Sequence, residues 1–195
     1  MCKGAFARKP LLALLALLLM LYLPLFALRV LYPLRYSVMV EEWSKERTLD
    51  PALVAAVIRA ESRFHPEATS ARGAIGLMQI TPDTGAWIAG QIGLTGFKTD
   101  SLLNPEMNIE LGTWYLRYLI GRFESIKTAL AAYNAGPGAV TGWGDDREAA
   151  YPATIAYVRR VVASIWIYRL YFRLPFLVKI TPSLGLIVAE TCSVG

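Results

Sequence analysis

Residues 50–64, DPALVAAVIRAESRF, predict a helix whose beginning and buried face are both marked in the sequence. Asp50 is a residue type preferred at an N-cap, and Pro51 suits the first helical position. The apolar residues that follow recur at the i, i+3, i+4 spacing of a helix face that packs against a core. We therefore expect a buried helix that begins at Pro51.

The next position on that apolar face is Glu61, which places a carboxyl where a core is expected. A charged group aimed at a core is costly unless it is paired or protonated, so such a carboxyl tends to be neutral near pH 7. A neutral carboxylic acid beside a cleft is what general acid catalysis on a sugar or ester oxygen requires. The alternative is a carboxylate in solvent, or one paired with a neighbouring arginine: Arg59, Arg63 or Arg72.

Other helices are marked in the same way along the rest of the chain. An N-cap residue followed by proline recurs at two places, Thr81-Pro82 and Asn104-Pro105. Helical patterns also cover residues 126–133 and 154–172, whereas residues 90–103 lack one and predict a loop. Because no segment shows convincing strand alternation, the predicted fold class is mainly α, with little or no β-sheet.

Residues 10–28 form an uncharged, leucine-rich run long enough to cross a bilayer as a helix. Cations precede and follow it: Lys3, Arg8, Lys9, Arg29 and Arg35. The three that precede it favour a cytoplasmic amino terminus. No clear cleavage site follows the run, so we expect a single-pass signal-anchor in the cell membrane, with the folded domain outside the cytoplasm. The alternative is a cleaved signal peptide and a secreted protein.

The charge distribution argues against a nucleic-acid partner and for a membrane surface. The net charge is +5, but residues 48–160 hold ten Lys and Arg against eleven Asp and Glu, a net charge of −1. A nucleic-acid groove should place its cations inside the folded domain. The single histidine and the two distant cysteines, Cys2 and Cys192, have no metal-ligand spacing, so we expect no metal ion and no cofactor.

These patterns divide the chain into four parts. Residues 1–35 hold the anchor and its flanks, residues 36–48 form a juxtamembrane linker, and residues 49–172 form the folded domain. Residues 173–195 are an apolar tail interrupted by prolines, whose structure the sequence does not determine.

Four short motifs occur in a specific order, although each alone is also typical of an ordinary turn, helix end or packing residue. They are RAESRF at 59–64, GAIGLMQITP at 73–82, AYNAGPG at 132–138 and YV at 157–158, with Ser70 between the first two. In this order and spacing, residues 49–171 resemble the lytic transglycosylase domain, a family that shares its core with goose-type lysozyme. The resemblance implies a lysozyme-like helical fold.

The resemblance also implies an activity on peptidoglycan glycan strands. Family members cleave the β-1,4 bond between N-acetylmuramic acid and N-acetylglucosamine with one carboxyl, here at the position of Glu61. That carboxyl protonates the glycosidic oxygen, then takes a proton from the muramoyl 6-hydroxyl as a 1,6-anhydro ring closes. Tyr157 matches the tyrosine that holds the carboxyl. By their motif positions, the residues expected to bind substrate are Ser62, Ser70, Met78, Gln79, Tyr133 and Asn134.

A single catalytic carboxyl agrees with the absence of any signal for a second one. Ordinary glycosidases need two carboxylates at a defined separation. The other candidates all have plain surface, turn or helix-start interpretations: Glu67, Asp83, Asp100, Glu106 and Glu110. In the family mechanism the substrate's own N-acetyl group takes the place of the second carboxylate.

Two alternative functions remain at the level of the sequence, a lysozyme-type hydrolase and a non-catalytic glycan-binding wall protein. Ala153 stands where the family usually has glutamate, a departure that keeps the non-catalytic alternative open. The expected partners are peptidoglycan and the lipid bilayer, and the sequence identifies no protein partner.

Overall fold

The computed structural model describes residues 8–143 and 151–174, and these residues are almost entirely helical. Within them lie eight α-helices: α1 (Arg8–Leu31), α2 (Ser37–Glu46), α3 (Pro51–Glu61), α4 (Pro82–Ile92), α5 (Pro105–Phe123), α6 (Ile126–Ala135), α7 (Pro137–Trp143) and α8 (Pro152–Arg173). A 3₁₀-helix covers Thr99–Leu103. The described residues contain no strand, only two isolated bridges that join residues 69, 75 and 80. The predicted mainly α class is confirmed.

The three predicted helix starts are also confirmed, each by a hydrogen bond from the first turn to the N-cap side chain. The Ala52 N–H donates to Asp50 Oδ1 at 2.9 Å at the start of α3. The corresponding bonds go to Thr81 at the start of α4 and to Asn104 at the start of α5. Since each first turn has donors without an intrahelical partner, these caps fix where the chain enters the helix.

Two predictions between these helices are wrong in part. The expected loop at residues 90–103 contains the last residues of α4 and the 3₁₀-helix. Helix α4 ends at Ile92, and Gly93, with a φ of 71°, is its C-cap. The Asn-Ala-Gly-Pro-Gly sequence ends α6 as expected, but Pro137 then begins α7, which the sequence patterns missed. A proline is well suited to the first position of a new helix as well as to ending an old one.

Other sequence-based expectations lie outside the described residues. These are the structure of the tail at residues 175–195 and the environment of the two cysteines. Residues 36–48, assigned to a linker from the sequence, contain α2, and its Val40 is fully buried in the main core. Helix α2 therefore packs as part of the folded body.

Helix α3 lies at the centre of that body. All seven residues from Ala52 to Ile58 are buried, so the helix is surrounded by its neighbours. Its principal neighbour is α8, which contributes the buried side chains of Tyr157, Val161 and Tyr168 to the same core. Because so much apolar surface is buried around α3, the position and direction of the C-terminal end of this helix are fixed.

The buried amide of Asn108 on α5 holds the loop that precedes α4. Its Oδ1 accepts from the Met78 N–H at 2.7 Å, and its Nδ2 donates to the carbonyls of Ile75 and Leu102, each at 2.9 Å. Gly76 makes this possible because its φ is 82° and a β-carbon there would overlap the Asn108 amide.

The end of α1 is attached to the folded body by three polar and aromatic contacts. Arg59 Nε donates to the Leu31 carbonyl at 2.8 Å, and its guanidinium lies 4.0 Å from the centre of the Tyr32 ring. The Tyr168 hydroxyl donates to the Pro33 carbonyl at 2.9 Å. Residues Leu12–Leu31 are long and apolar enough to cross a membrane by length and composition.

We expect Asn108→Ala to lower the free energy of unfolding by about 3 kcal/mol, because it leaves the buried Met78 N–H without its acceptor and removes one donor from each of the Ile75 and Leu102 carbonyls. Denaturant unfolding in a neutral detergent measures the change. The control is Gln91→Ala at an exposed position of α4, expected to stay within about 0.5 kcal/mol of the wild type. Equal effects in the two variants would contradict the assigned role of Asn108.

Candidate active site

Glu61 is the last residue of α3, and its side chain is half-buried. Burial raises the pKa of its carboxyl from 4.5 to about 7, while the Tyr157 phenol and the Arg160 guanidinium each act to lower it. Within the described residues Glu61 makes no ion pair of 4.0 Å or less, so the alternative of pairing with Arg59, Arg63 or Arg72 is not realised. A large fraction of the carboxyl is therefore protonated at neutral pH.

The chain turns sharply directly after Glu61. Ser62 caps α3, and its hydroxyl donates to the Leu77 carbonyl at 2.8 Å, which joins the end of the helix to the glycine-containing loop. Arg63 and Phe64 both have left-handed backbones, with φ of 53° and 64°. Such conformations cost about 1–3 kcal/mol each in non-glycine residues and persist where surrounding packing enforces them. Here Phe64 is fully buried in the main core.

Tyr157 projects from α8 into the core beside Glu61, with only 2 % of its surface exposed. Burial, followed by the nearby Glu61 carboxyl, raises the pKa of the phenol well above its ordinary value. The phenol is close enough to favour ionised Glu61, yet among the described residues its oxygen has no partner at good hydrogen-bonding geometry. The contact between the phenol and the carboxyl is therefore a loose one.

Tyr133, near the end of α6, is a third member of this group. Its hydroxyl donates to the Met78 carbonyl at 2.8 Å, and its pKa is raised well above the ordinary value, first by burial and then by the Glu61 carboxyl. The neighbouring Asn134 is exposed, and its Oδ1 accepts from the Thr154 hydroxyl at 3.0 Å. Helices α3, α6 and α8 thus converge on the carboxyl.

The remaining predicted site residues shape the loop between α3 and α4. The Gln79 amide donates to the carbonyls of Ala68 and Gly76, each at 2.9 Å. The Ser70 hydroxyl accepts from the Ala74 N–H at 3.0 Å. The Met78 side chain is fully buried, and Gly112 on α5 leaves room for its sulfur, so a substrate could meet only the backbone of this residue.

The structure therefore brings some of the predicted residues together and leaves others apart. Glu61 raises the pKa of both Tyr157 and Tyr133, Tyr157 lowers that of Glu61, and Ser62 and Met78 join this group through their hydrogen bonds. The described contacts of Ser70, Gln79 and Asn134 are with loop backbone or with Thr154, and their binding roles stay predictions.

Two residues that shape the site were not singled out as site residues. Arg160 lies one turn after Tyr157 on α8 and acts on the Glu61 carboxyl, which the i, i+3 spacing could have indicated. Asn108 is a polar residue among the buried side chains of α5, the same kind of misplacement that drew attention to Glu61. Of the candidate second carboxylates, Glu110 has a pKa raised by burial, but its charged neighbours are Arg47 and Glu106 rather than Glu61.

The chain belongs to the transglycosylase SLT domain family, whose model matches residues 38–155. Over 114 residues it is 36 % identical to the soluble lytic murein transglycosylase of Escherichia coli K12, an alignment that covers 57 % of this chain and 18 % of the relative. It is 38 % identical over 116 residues to the membrane-bound lytic murein transglycosylase C of Glaesserella parasuis, covering 54 % of this chain and 32 % of that protein. The chain thus spans less than a third of these curated relatives.

Solved structures share the helical architecture. The 70 kDa soluble lytic transglycosylase of Escherichia coli has a TM-score of 0.70 and 31 % identity, covering 74 % of this chain and 26 % of that one. An inactive glutamate-to-glutamine mutant of the lytic transglycosylase Slt from Pseudomonas aeruginosa has a TM-score of 0.70 and 30 % identity, covering 75 % and 26 %. The lysozyme-like helical fold expected from the motifs is confirmed.

We expect Glu61→Gln to become progressively more stable than the wild type between pH 4 and pH 8. A carboxyl with a pKa of about 7 when folded and 4.5 when unfolded binds more protons in the folded state, so the wild type loses stability as the pH rises through this interval. At about 1.4 kcal/mol per pKa unit, the difference between the two proteins should grow by up to about 3 kcal/mol. Denaturant unfolding at pH 4, 6 and 8 measures it.

Tyr157→Phe provides a check on the same effect, because removing the phenol takes away a group that favours the carboxylate. The pH interval over which stability falls should then extend to higher pH at its upper end, while its lower end, set by the unfolded chain, stays in place. The matched control is Tyr151→Phe, which removes an exposed phenol just before α8 and should leave the interval unchanged. If the difference in unfolding free energy between Glu61→Gln and the wild type does not change with pH, the raised pKa of Glu61 is contradicted.

Proposed function

We propose that this chain is a membrane-anchored peptidoglycan lytic transglycosylase that cleaves the bond between N-acetylmuramic acid and N-acetylglucosamine and leaves 1,6-anhydro ends. The observation that carries the proposal is Glu61, a half-buried carboxyl with a pKa of about 7 beside a buried phenol. A group with this pKa can both give and take a proton near neutral pH. The family to which the chain belongs supports the choice of substrate.

In the first proposed step, protonated Glu61 donates its proton to the glycosidic oxygen. The bond between that oxygen and the muramoyl C1 breaks, and its electron pair leaves with the N-acetylglucosamine hydroxyl. An oxocarbenium-like centre develops at C1, and the acetamido oxygen of the same sugar stabilises it. Glu61 becomes a carboxylate, which Tyr157 and Arg160 both favour.

In the second proposed step, the Glu61 carboxylate takes a proton from the muramoyl 6-hydroxyl as its oxygen attacks C1. The new O6–C1 bond closes the anhydro ring, and the enzyme returns to its starting protonation state without consuming water. One carboxyl can serve both steps because its pKa lies near 7. Burial raises this pKa, and the contacts with Tyr157 and Arg160 lower it.

The other predicted residues take supporting roles in this proposal. Tyr157 positions the carboxyl, and Tyr133 offers a ring face beside it while its hydroxyl holds the Met78 carbonyl. Asn134, exposed at the end of α6, offers its amide to the sugar. Ser62, Ser70, Met78 and Gln79 keep the loop in the shape that borders the substrate.

Product analysis tests the reaction. We expect digested peptidoglycan to yield 1,6-anhydro muropeptides in mass spectrometry, lighter by one water than reducing-end products, and Glu61→Gln to reduce turnover at least about 1000-fold because both proton transfers are lost. Glu67→Gln, at an exposed carboxylate in the neighbouring loop, is the matched control and should retain wild-type turnover. The inactive glutamate-to-glutamine mutant of the Pseudomonas relative supports this expectation.

Reducing-end products from the wild type would replace the proposal with a lysozyme-type hydrolase. Retained glycan binding with no turnover in the wild type would replace it with a glycan-binding wall protein. Anhydro products from Glu61→Gln would remove Glu61 from the mechanism.

We further propose that α1 is retained as a single membrane anchor, with residues 49–172 as the catalytic domain outside the cytoplasm. The apolar span of Leu12–Leu31 supports this, as do the cations at both ends of α1 and the membrane-bound relative. The contacts of Arg59 and Tyr168 with residues 31–33 join the anchor directly to the domain.

The anchor can be tested by extraction. The full-length chain should stay with the membrane pellet after an alkaline carbonate wash and enter solution only with detergent, because a helix of about twenty apolar residues is not displaced by charge repulsion. Amino-terminal sequencing of the purified protein should give a residue before Leu12. A mature amino terminus after Leu28 would instead show a cleaved signal peptide.

A further inference from the structure

A cavity of about 620 Å³ lies where the end of α1 meets α3 and α8, and its lining is strongly basic. Six lining residues carry a cationic or titratable nitrogen group: Arg29, Arg35, Arg59, Arg63, His65 and Arg160. None of the lining residues is an aspartate or glutamate. Glu61 is not among the lining residues, although the lining includes its chain neighbour Ala60 and Arg160, which acts on its carboxyl.

The lining arginines differ in the hydrogen bonds and ion pairs that they make. Arg59 is used structurally, since it donates to the Leu31 carbonyl and to the Ser164 hydroxyl. Arg35, Arg63 and Arg160 are exposed, and within residues 8–143 and 151–174 none of the three makes an ion pair of 4.0 Å or less. Arg35 and Arg63 therefore face the cavity without a close carboxylate, whereas Arg160 also acts on the Glu61 carboxyl.

The position of the cavity along the anchor matters as much as its charge. A helix of twenty residues rises about 30 Å, which equals the thickness of a bilayer's hydrocarbon core. Leu31 therefore lies where that core ends, and the residues directly beyond it lie at the level of the lipid headgroups. The cavity is lined by Val30, Leu31 and Pro33 from this same level, so it opens beside the polar surface of the membrane.

We propose that this cavity binds the phosphate-bearing headgroup of an anionic phospholipid in the outer face of the membrane. Guanidinium groups are well suited to phosphate because their planar array of donors matches its oxygens. The apolar lining residues Val30, Leu31 and Pro33 would contact the glycerol end of the lipid. The proposal rests on the anchored orientation proposed above and adds a specific lipid site to it.

A peptide carboxylate of peptidoglycan is the competing anion, and the position of the cavity favours the lipid. Two of the cationic residues, Arg29 and Arg35, come from the end of the apolar helix and its exit, which are at bilayer level. A binding site for the peptides of the glycan would not need cationic residues at the level of the lipid headgroups. A lipid site would, because headgroups are held at that height.

The test uses the full-length chain in a neutral detergent, which keeps α1 embedded. Native mass spectrometry would measure binding of short-chain phosphatidylglycerol, short-chain phosphatidylcholine and inorganic phosphate. We expect phosphatidylglycerol to bind at least tenfold more tightly than either of the others. Arg35→Gln combined with Arg63→Asn should weaken phosphatidylglycerol binding about thirtyfold, since each cation near a membrane surface contributes about 1 kcal/mol.

The variants are chosen to keep the fold intact. Asparagine tolerates the left-handed backbone at position 63, and Arg35 is exposed. Arg35→Gln alone, expected to weaken binding about fivefold, serves if the double variant unfolds. The matched control is Arg117→Gln with Lys127→Gln, which removes two exposed cations outside the cavity and should change binding less than twofold.

Three results would overturn the inference: equal losses in the double variant and its control, phosphate binding as tight as that of phosphatidylglycerol, or displacement of bound lipid by a muropeptide. The first would indicate general electrostatics, the second a soluble anion and the third a substrate subsite. A chain that stays in carbonate-washed membranes but shows no lipid preference removes only this inference. A chain released by carbonate removes the anchor and, with it, the lipid site.

Discussion

The packing of α3 against α8 is the constraint on which the candidate site depends. Every residue from Ala52 to Ile58 is buried, so α3 cannot rotate to expose its last side chain without moving the core. Glu61 is consequently held partly out of water, and its pKa rises because the charged form is poorly solvated. The same packing brings Tyr157 beside the carboxyl, since that phenol belongs to the face of α8 that covers α3.

The second constraint is a set of buried polar side chains that form hydrogen bonds with backbone groups. The Asn108 amide, the Ser62 hydroxyl and the Tyr133 hydroxyl each bond to the loop that contains Gly76. An unpaired buried polar group is costly, so these bonds specify one loop conformation rather than merely adding stability. The loop is joined in this way to the end of α3 that carries Glu61, and it contains three of the predicted site residues, Ser70, Met78 and Gln79.

The fold was largely predictable from local rules, whereas Glu61 was found as an exception to them and the other candidate site residues were named from the family resemblance. Asp50, Thr81 and Asn104 mark their helices because caps and prolines are local chemistry. Glu61 could be found because it breaks the apolar pattern. The left-handed turn at Arg63 and Phe64 was not predictable, because it depends on packing between distant parts of the chain.

Helix α8 also links the end of the anchor to the reacting groups. It carries Tyr168, bonded to the Pro33 carbonyl, and Tyr157, beside the carboxyl, and between these two residues it rises about 16 Å. With the proposed anchor in a bilayer, the reacting groups would work at a nearly fixed height of at most this order. Glycan strands close to the lipid surface would be within reach, and the outer layers of the wall would not.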